Sequence, residues 1–136
     1  MDTAGQENFK SITSNYIKDM DGFLLFFDVT NETSFNSLDY WREFINDNNL
    51  SKAIILLGDK IDEKDKRKIK KNEVKEYAEK NNIKYIECSC KYYINIYEIL
   101  NEIILMSFNK FKEKVNRNDT IDLNNRRDKI DYFCKC

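Results

Sequence analysis

The chain has 136 residues, 41% of them hydrophobic, 13% aromatic and 35% charged, with a formal net charge of -1. That is enough for one domain with a buried core and too little for two, and it lacks the basic excess of a general nucleic-acid binder, so no nucleic-acid partner is expected. No apolar stretch approaches the ~18–20 residues of a membrane span, and the first residues lack the basic-then-apolar pattern of a signal peptide, so the expectation is a cytosolic chain with reduced thiols. Residues 22–29 (GFLLFFDV) form a continuous apolar run closed by Thr30 and Asn31. Asn31 or Thr30 can cap a helix in which Phe35, Leu38, Trp41 and Ile45 recur at spacings of three and four. Residues 53–57 (AIILL) are a second apolar run, closed by Gly58 and Asp59. A charge-dense connection over residues 64–75 reads as a solvated loop and helix start. Val74, Tyr77 and Ala78 then mark a shorter helix, and residues 83–88 (IKYIEC) a third, weaker strand. Ile96, Ile99, Leu100, Ile103 and Met106 or Ser107 make the longest helical stripe, ending near Phe111. Short non-alternating runs suit parallel strands covered on both faces. Strands alternating with helices predict β-α-β crossovers, and hence an α/β fold with flanking helices. Apolar periodicity ends near Val115, so residues 115–136 are expected to be a flexible tail behind a domain of residues 1–114.

Proline is absent and there are 3 glycines, Gly5, Gly22 and Gly58, each expected where the chain turns sharply or lets another group approach its backbone. The 4 cysteines form two C-x-C pairs, Cys88/Cys90 and Cys134/Cys136. Four thiolates suffice in number for zinc, but zinc pairs are usually spaced C-x2–4-C and the chain has no histidine to help. The two pairs are therefore read as having unrelated roles, and a zinc or redox protein is the weakest of three readings.

Three short motifs fall at predicted strand ends, where open α/β sheets bind ligands. The first is Asp2-Thr3-Ala4-Gly5-Gln6-Glu7. A carboxylate at Asp2 can reach Mg²⁺ through water, the Gly5 amide can approach a γ-phosphate, and Gln6 can hold an attacking water. The second is Gly58-Asp59-Lys60-Ile61-Asp62, similar to the guanine motif N-K-x-D but with aspartate first. A carboxylate at Asp62 can accept from both N1–H and the N2 amino group of guanine, a donor pair that adenine lacks. The stem of Lys60 can cover a base face. The third is Cys88-Ser89-Cys90-Lys91, similar to S-A-K, where the Cys90 amide would meet guanine O6 and Lys91 would pack over the base. Taken singly, Asp59, Asp62 and Ser89 also suit ordinary turns; it is their order and their strand-end placement that point to a nucleotide.

In this order the motifs resemble a Rab-family small GTPase of the Ras superfamily, from Asp2 to about Phe111. Phe9, Ser11-Ile12-Thr13, Asp28-Val29-Thr30 and Ser34-Phe35 extend the likeness. The resemblance implies the C-terminal part of a P-loop NTPase (Ras-like) fold, with Gln6 catalytic and Asp2, Ala4, Gly5, Asp59, Lys60, Asp62, Ser89, Cys90 and Lys91 contacting nucleotide. It implies GTP/GDP and Mg²⁺ as cofactors, and Phe9 and Tyr16 as effector-binding residues. The ending Cys134-Lys135-Cys136 resembles the Rab signal for two geranylgeranyl groups; two lipid chains anchor stably where one is marginal. The implied function is a GTP-hydrolysing switch in vesicle traffic, lipid-anchored at the cytoplasmic face of an endomembrane with a cytosolic pool. Its implied partners are an exchange factor, a GTPase-activating protein, effectors, and the prenyl-transfer and extraction machinery.

The departures define the alternative. Nothing matches the phosphate loop G-x-x-x-x-G-K-[ST], the threonine loop of switch I is missing too, and Met1 stands where Rab proteins usually carry tryptophan. The expectation is an N-terminally truncated GTPase; the other reading is a non-catalytic prenylated adaptor or decoy for Rab-binding proteins. Asp59 leaves two outcomes open. An ionised carboxylate facing the acceptor N7 would cost about 1–3 kcal/mol, whereas a rotated Asp59 could accept from nearby backbone amides at little cost.

Overall fold

A computed structural model describes residues 20–46 and 53–116, without the side chains of residues 114–116. Among these residues three parallel strands, β1 (Gly22–Asp28), β2 (Ala53–Asp59) and β3 (Lys84–Glu87), lie in the order β1-β2-β3. The chain crosses from β1 to β2 through α1 (Glu32–Asn36) and α2 (Leu38–Asn46). It crosses from β2 to β3 through a single 3₁₀ turn (Lys64–Lys66) and α3 (Lys71–Lys80), and leaves through α4 (Ile96–Asn116). This is the α/β arrangement, a parallel sheet with flanking helices, that the sequence predicts.

The apolar strands have no polar face because both faces are covered. On one side Phe27, Val29 and Leu56 pack with Leu38, Ile69, Val74 and Ala78. On the other, Ile55, Leu57 and Cys88 pack with Ile99, flanked by Leu24, Ile103 and Met106. Alternate residues of each strand serve opposite cores, as the two-residue strand period requires. Each fully buried Leu or Ile contributes about 1.5–3 kcal/mol, so Ile55, Leu56 and Leu57 make β2 a large contributor to stability.

Four details depart from the sequence expectation. The helix expected after Asn31 is divided at Ser37, although Asn31 does cap it, its Oδ1 accepting from Thr33 N–H at 3.0 Å. The Ser34 hydroxyl donates to the Asn31 carbonyl and the Ser37 hydroxyl to the Ser34 carbonyl, and such back-bonding bends helices. The i→i−4 bonds from Ser37 to Thr33 and from Trp41 to Ser37 persist across the bend. Gly58 does not end β2, because the ladder runs on to pair Asp59 with Asp28. Ile69, inside the supposedly solvated connection, is buried: Lys68 and Ile69 N–H both donate to the Val29 carbonyl, drawing that segment onto the core. Finally, α4 continues to Asn116, two residues into the expected tail; Lys112, Glu113 and Lys114 are good helix formers and extend it beyond its apolar stripe.

Candidate functional site

The parallel register builds the site. Gly58 pairs with Glu87, so the residues that follow, Asp59 to Asp62 on one strand end and Cys88 to Lys91 on the other, leave the sheet side by side. Backbone bonds lock them: Cys88 N–H donates to the Gly58 carbonyl at 2.8 Å and Ile61 N–H to the Cys88 carbonyl at 3.3 Å. The second loop is cinched by reciprocal bonds between Ser89 and Ile94, at 3.0 and 3.3 Å.

The side chains join the two motifs. The hydroxyl of Ser89, fully buried, donates to Asp62 Oδ1 at 2.5 Å and accepts from Tyr92 N–H at 3.3 Å. One oxygen of Asp62 is thus fixed by Ser89, which sets the plane of its carboxylate. Asp59 Oδ1 accepts from the Cys90 amide at 3.0 Å. That amide is the one aimed at guanine O6 in the sequence reading; it has a protein partner instead. The physical reason is that a carboxylate oxygen accepts hydrogen bonds, and the Cys90 N–H is a donor within its reach.

Lys60 occupies the left-handed region at φ 66°, uncommon for a residue with a Cβ. Its ammonium lies 2.6 Å from Asp28 Oδ2, which lays the stem across the strand ends. Asp28 is itself oriented by the Thr30 amide and hydroxyl, at 2.8 and 2.7 Å from Oδ1. Burial pushes the Asp28 carboxyl upward, but the bonds from Lys60 and Thr30 outweigh it and hold its pKa below the ordinary value. The Lys60 ammonium, bonded to Asp28, is held above its ordinary value. Lys91 is exposed, its Nζ 5.1 Å from the centroid of the Tyr92 ring.

Beneath the site, Glu87 gathers Arg67 Nη2 at 2.6 Å, the Tyr85 hydroxyl at 2.9 Å and Lys71 Nζ at 3.1 Å. Its backbone carbonyl accepts from Asn95 Nδ2 at 2.7 Å, tying the second loop to β3. Sequence reading gave no role to Asp28 or Glu87. Asp28 had a signal in the Asp-x-Thr spacing at a strand end; Glu87 had none, since its cationic partners Arg67 and Lys71 are distant in sequence.

The structure therefore brings together Asp59, Lys60, Asp62, Ser89, Cys90 and Lys91. Asp2, Ala4, Gly5, Gln6, Phe9, Tyr16, Cys134 and Cys136 lie outside the described residues. The profile of the Ras family matches residues 1–109. The chain belongs to the Ras family. Among its relatives, Rab-27B of Rattus norvegicus is 36% identical over 126 residues, covering 89% of this chain and 58% of that protein. Rab-13 of Bos taurus is 34% identical over 127 residues, covering 90% and 63%, and Rab-27A of Mus musculus 38% over 118 residues, covering 83% and 53%. The likeness within the Ras family is thus to small GTPases of the Rab kind, and the chain spans less than two thirds of the length of these relatives.

Proposed function

We propose that this chain carries the guanine-recognising half of a Rab-like small GTPase, a molecular switch in vesicle traffic. The observation that supports this reading best is the Ser89–Asp62 hydrogen bond at 2.5 Å, which couples the two base-recognition motifs. A carboxylate held by Ser89 on one oxygen keeps acceptor capacity for the paired N1–H and N2–H donors of guanine. Lys60, pinned by Asp28, offers its stem as a wall for the base. For the Cys90 amide to reach O6 it must leave or share Asp59 Oδ1.

In the proposed switch, Asp2 approaches Mg²⁺ through water, Ala4 and Gly5 approach the γ-phosphate, and Gln6 positions the hydrolytic water. Phe9 and Tyr16 face effectors, with an exchange factor and a GTPase-activating protein setting the cycle. Prenylation at Cys134 and Cys136 would hold the protein on the cytoplasmic face of an endomembrane. Phosphate and Mg²⁺ contacts dominate affinity in such sites, and no segment of this chain matches a phosphate loop. The 136-residue chain should accordingly bind GDP more weakly than about 1 μM, equivalent to about 8 kcal/mol.

The test is an NMR titration of the chain with GDP and, separately, ADP at millimolar concentration. GDP should shift the amides of residues 59–62 and 89–91, ADP should leave them in place, and Asp62→Ala should abolish the GDP response. Equal responses to the two nucleotides would refute guanine recognition.

A further inference from the structure

The two departures from the guanine motifs, aspartate at 59 and cysteine at 90, meet in space. The carboxylate of Asp59 and the thiols of Cys88 and Cys90 place one ligand atom each within 4.8 Å of one another. Cys88 Sγ stands 3.8 Å from Asp59 Oδ1, and neither cysteine is in a disulfide. We propose that Asp59, Cys88 and Cys90 form a binding site for a thiophilic divalent cation of the zinc class, with a fourth position left for solvent.

The geometry fits the chemistry. Tetrahedral zinc with bonds of about 2.3 Å to sulfur and about 2.0 Å to carboxylate oxygen sets its ligand atoms roughly 3.5–3.8 Å apart. The Asp59–Cys88 pair already has that separation, and the 4.8 Å ceiling leaves Cys90 at most about 1 Å to close, within the reach of a rotamer adjustment. The two cysteines flank Ser89 in the loop that leaves β3, and the loop brings both sulfurs to Asp59. Asp59 comes to them from the neighbouring strand, through the parallel register of Gly58 with Glu87. Two ligand-bearing segments are thus clamped by backbone bonds before any ion arrives, which lowers the ordering cost of coordination. Two thiolates and one carboxylate around a divalent ion carry one net negative charge. The Lys60 ammonium, bonded to Asp28, also feels the Asp59 charge and offsets part of it. Thiolate donors select zinc-like ions over magnesium or calcium, which take oxygen. The site differs from the four-cysteine site considered from sequence, because its third donor is Asp59 and the C-terminal cysteines take no part. It does not rest on the nucleotide reading.

Binding converts both thiols to thiolates, so each ion taken up releases up to two protons. The experiment uses the full chain with Cys134→Ser and Cys136→Ser, titrated with Co²⁺ under reducing conditions. The expected result is a near-ultraviolet thiolate-to-cobalt charge-transfer band saturating at one equivalent, proton release in weak buffer, and displacement by Zn²⁺. Cys90→Ala and Asp59→Asn restore the residues of the S-A-K and N-K-x-D patterns, so both should fold. Each should weaken Co²⁺ binding by at least tenfold, and Cys90→Ala should also reduce the charge-transfer intensity. Absence of the band in the parent, or affinities unchanged in both variants while urea midpoints confirm folding, would overturn the proposal.

Discussion

Ser89 shows how a single buried hydroxyl can organise two loops. It is fully buried, donates to Asp62 and accepts from Tyr92 N–H. Ser89→Ala would leave that amide without its partner and remove the donor on Asp62, so a loss of about 1–3 kcal/mol in urea unfolding is expected. Glu87 works on the same scale through charge. Burial raises its pKa, but bonds from Arg67, Lys71 and Tyr85 outweigh this and hold it below the ordinary 4.5. A carboxylate whose folded pKa is depressed binds fewer protons folded than unfolded in the interval between the two values. Stability from Glu87 is therefore complete above about pH 4.5, the unfolded value, and is lost as pH falls through the folded one. Glu87→Gln should lower stability at pH 7 and flatten this acid-side decline; urea midpoints measured from pH 7 down to pH 3 decide it. An unchanged acid-side slope would mean that other carboxylates carry the pH dependence.

At the scale of elements, Gly58 lets β2 pass close under the side chains of β1 and β3. A Cβ there would lie 2.8 Å from the Tyr85 hydroxyl and 3.1 Å from Phe27 Cζ. The Tyr85 hydroxyl cannot simply swing away, since it donates to Glu87, and its ring stacks on Phe27 at 6.3 Å. Gly58→Ala should destabilise by about 1–3 kcal/mol, and Tyr85→Phe in the same chain should recover part of that by vacating the space. A double-mutant cycle with no coupling would place the strain elsewhere. The same elements show what sequence could and could not reveal. The apolar runs around residues 22–29 and 53–57 announced strands because helices pack on both sides of the sheet, β2 being buried on both faces and β1 half-buried at the edge, and the stripe of Ile96, Ile99 and Ile103 announced α4 by its period. Asp59, Lys60, Asp62, Ser89, Cys90 and Lys91 were legible as short motifs at strand ends. The partners that aim them were not. Asp28 pins Lys60 across a parallel ladder, and the Cys90 amide reaches Asp59 only because Gly58 stands opposite Glu87; register is a property of the paired strands, absent from either strand alone. The bend at Ser37 and the burial of Ile69 likewise depend on hydroxyl and carbonyl contacts that periodicity does not encode.

Over the whole molecule, α4 is apolar on more than one face. Its inner stripe covers the sheet, while Ile104, Leu105 and Phe108 are 46%, 57% and 51% exposed. The three sit within one turn, so they make a contiguous patch rather than scattered singletons. Phe26, 42% exposed, alternates with the buried Phe27 and so shares the α4 side of β1, a strand at the edge of the sheet among the described residues. Exposed apolar surface on a helix beside a sheet edge favours association. The 136-residue chain is therefore expected to self-associate as its concentration rises. Burying Leu105 and Phe108 against a second surface removes roughly 1.5–3 kcal/mol of exposed apolar cost per side chain, so replacing both with glutamate should shift the association constant by tenfold or more. Light scattering coupled to size exclusion across a hundredfold range of concentration measures this directly. The Leu105→Glu, Phe108→Glu chain should elute as a monomer where the parent does not, with its far-ultraviolet circular dichroism unchanged because neither side chain belongs to the core. A parent that remains monomeric throughout would show that this face is not sticky enough to drive association, and an unchanged oligomer in the variant would locate the contact elsewhere.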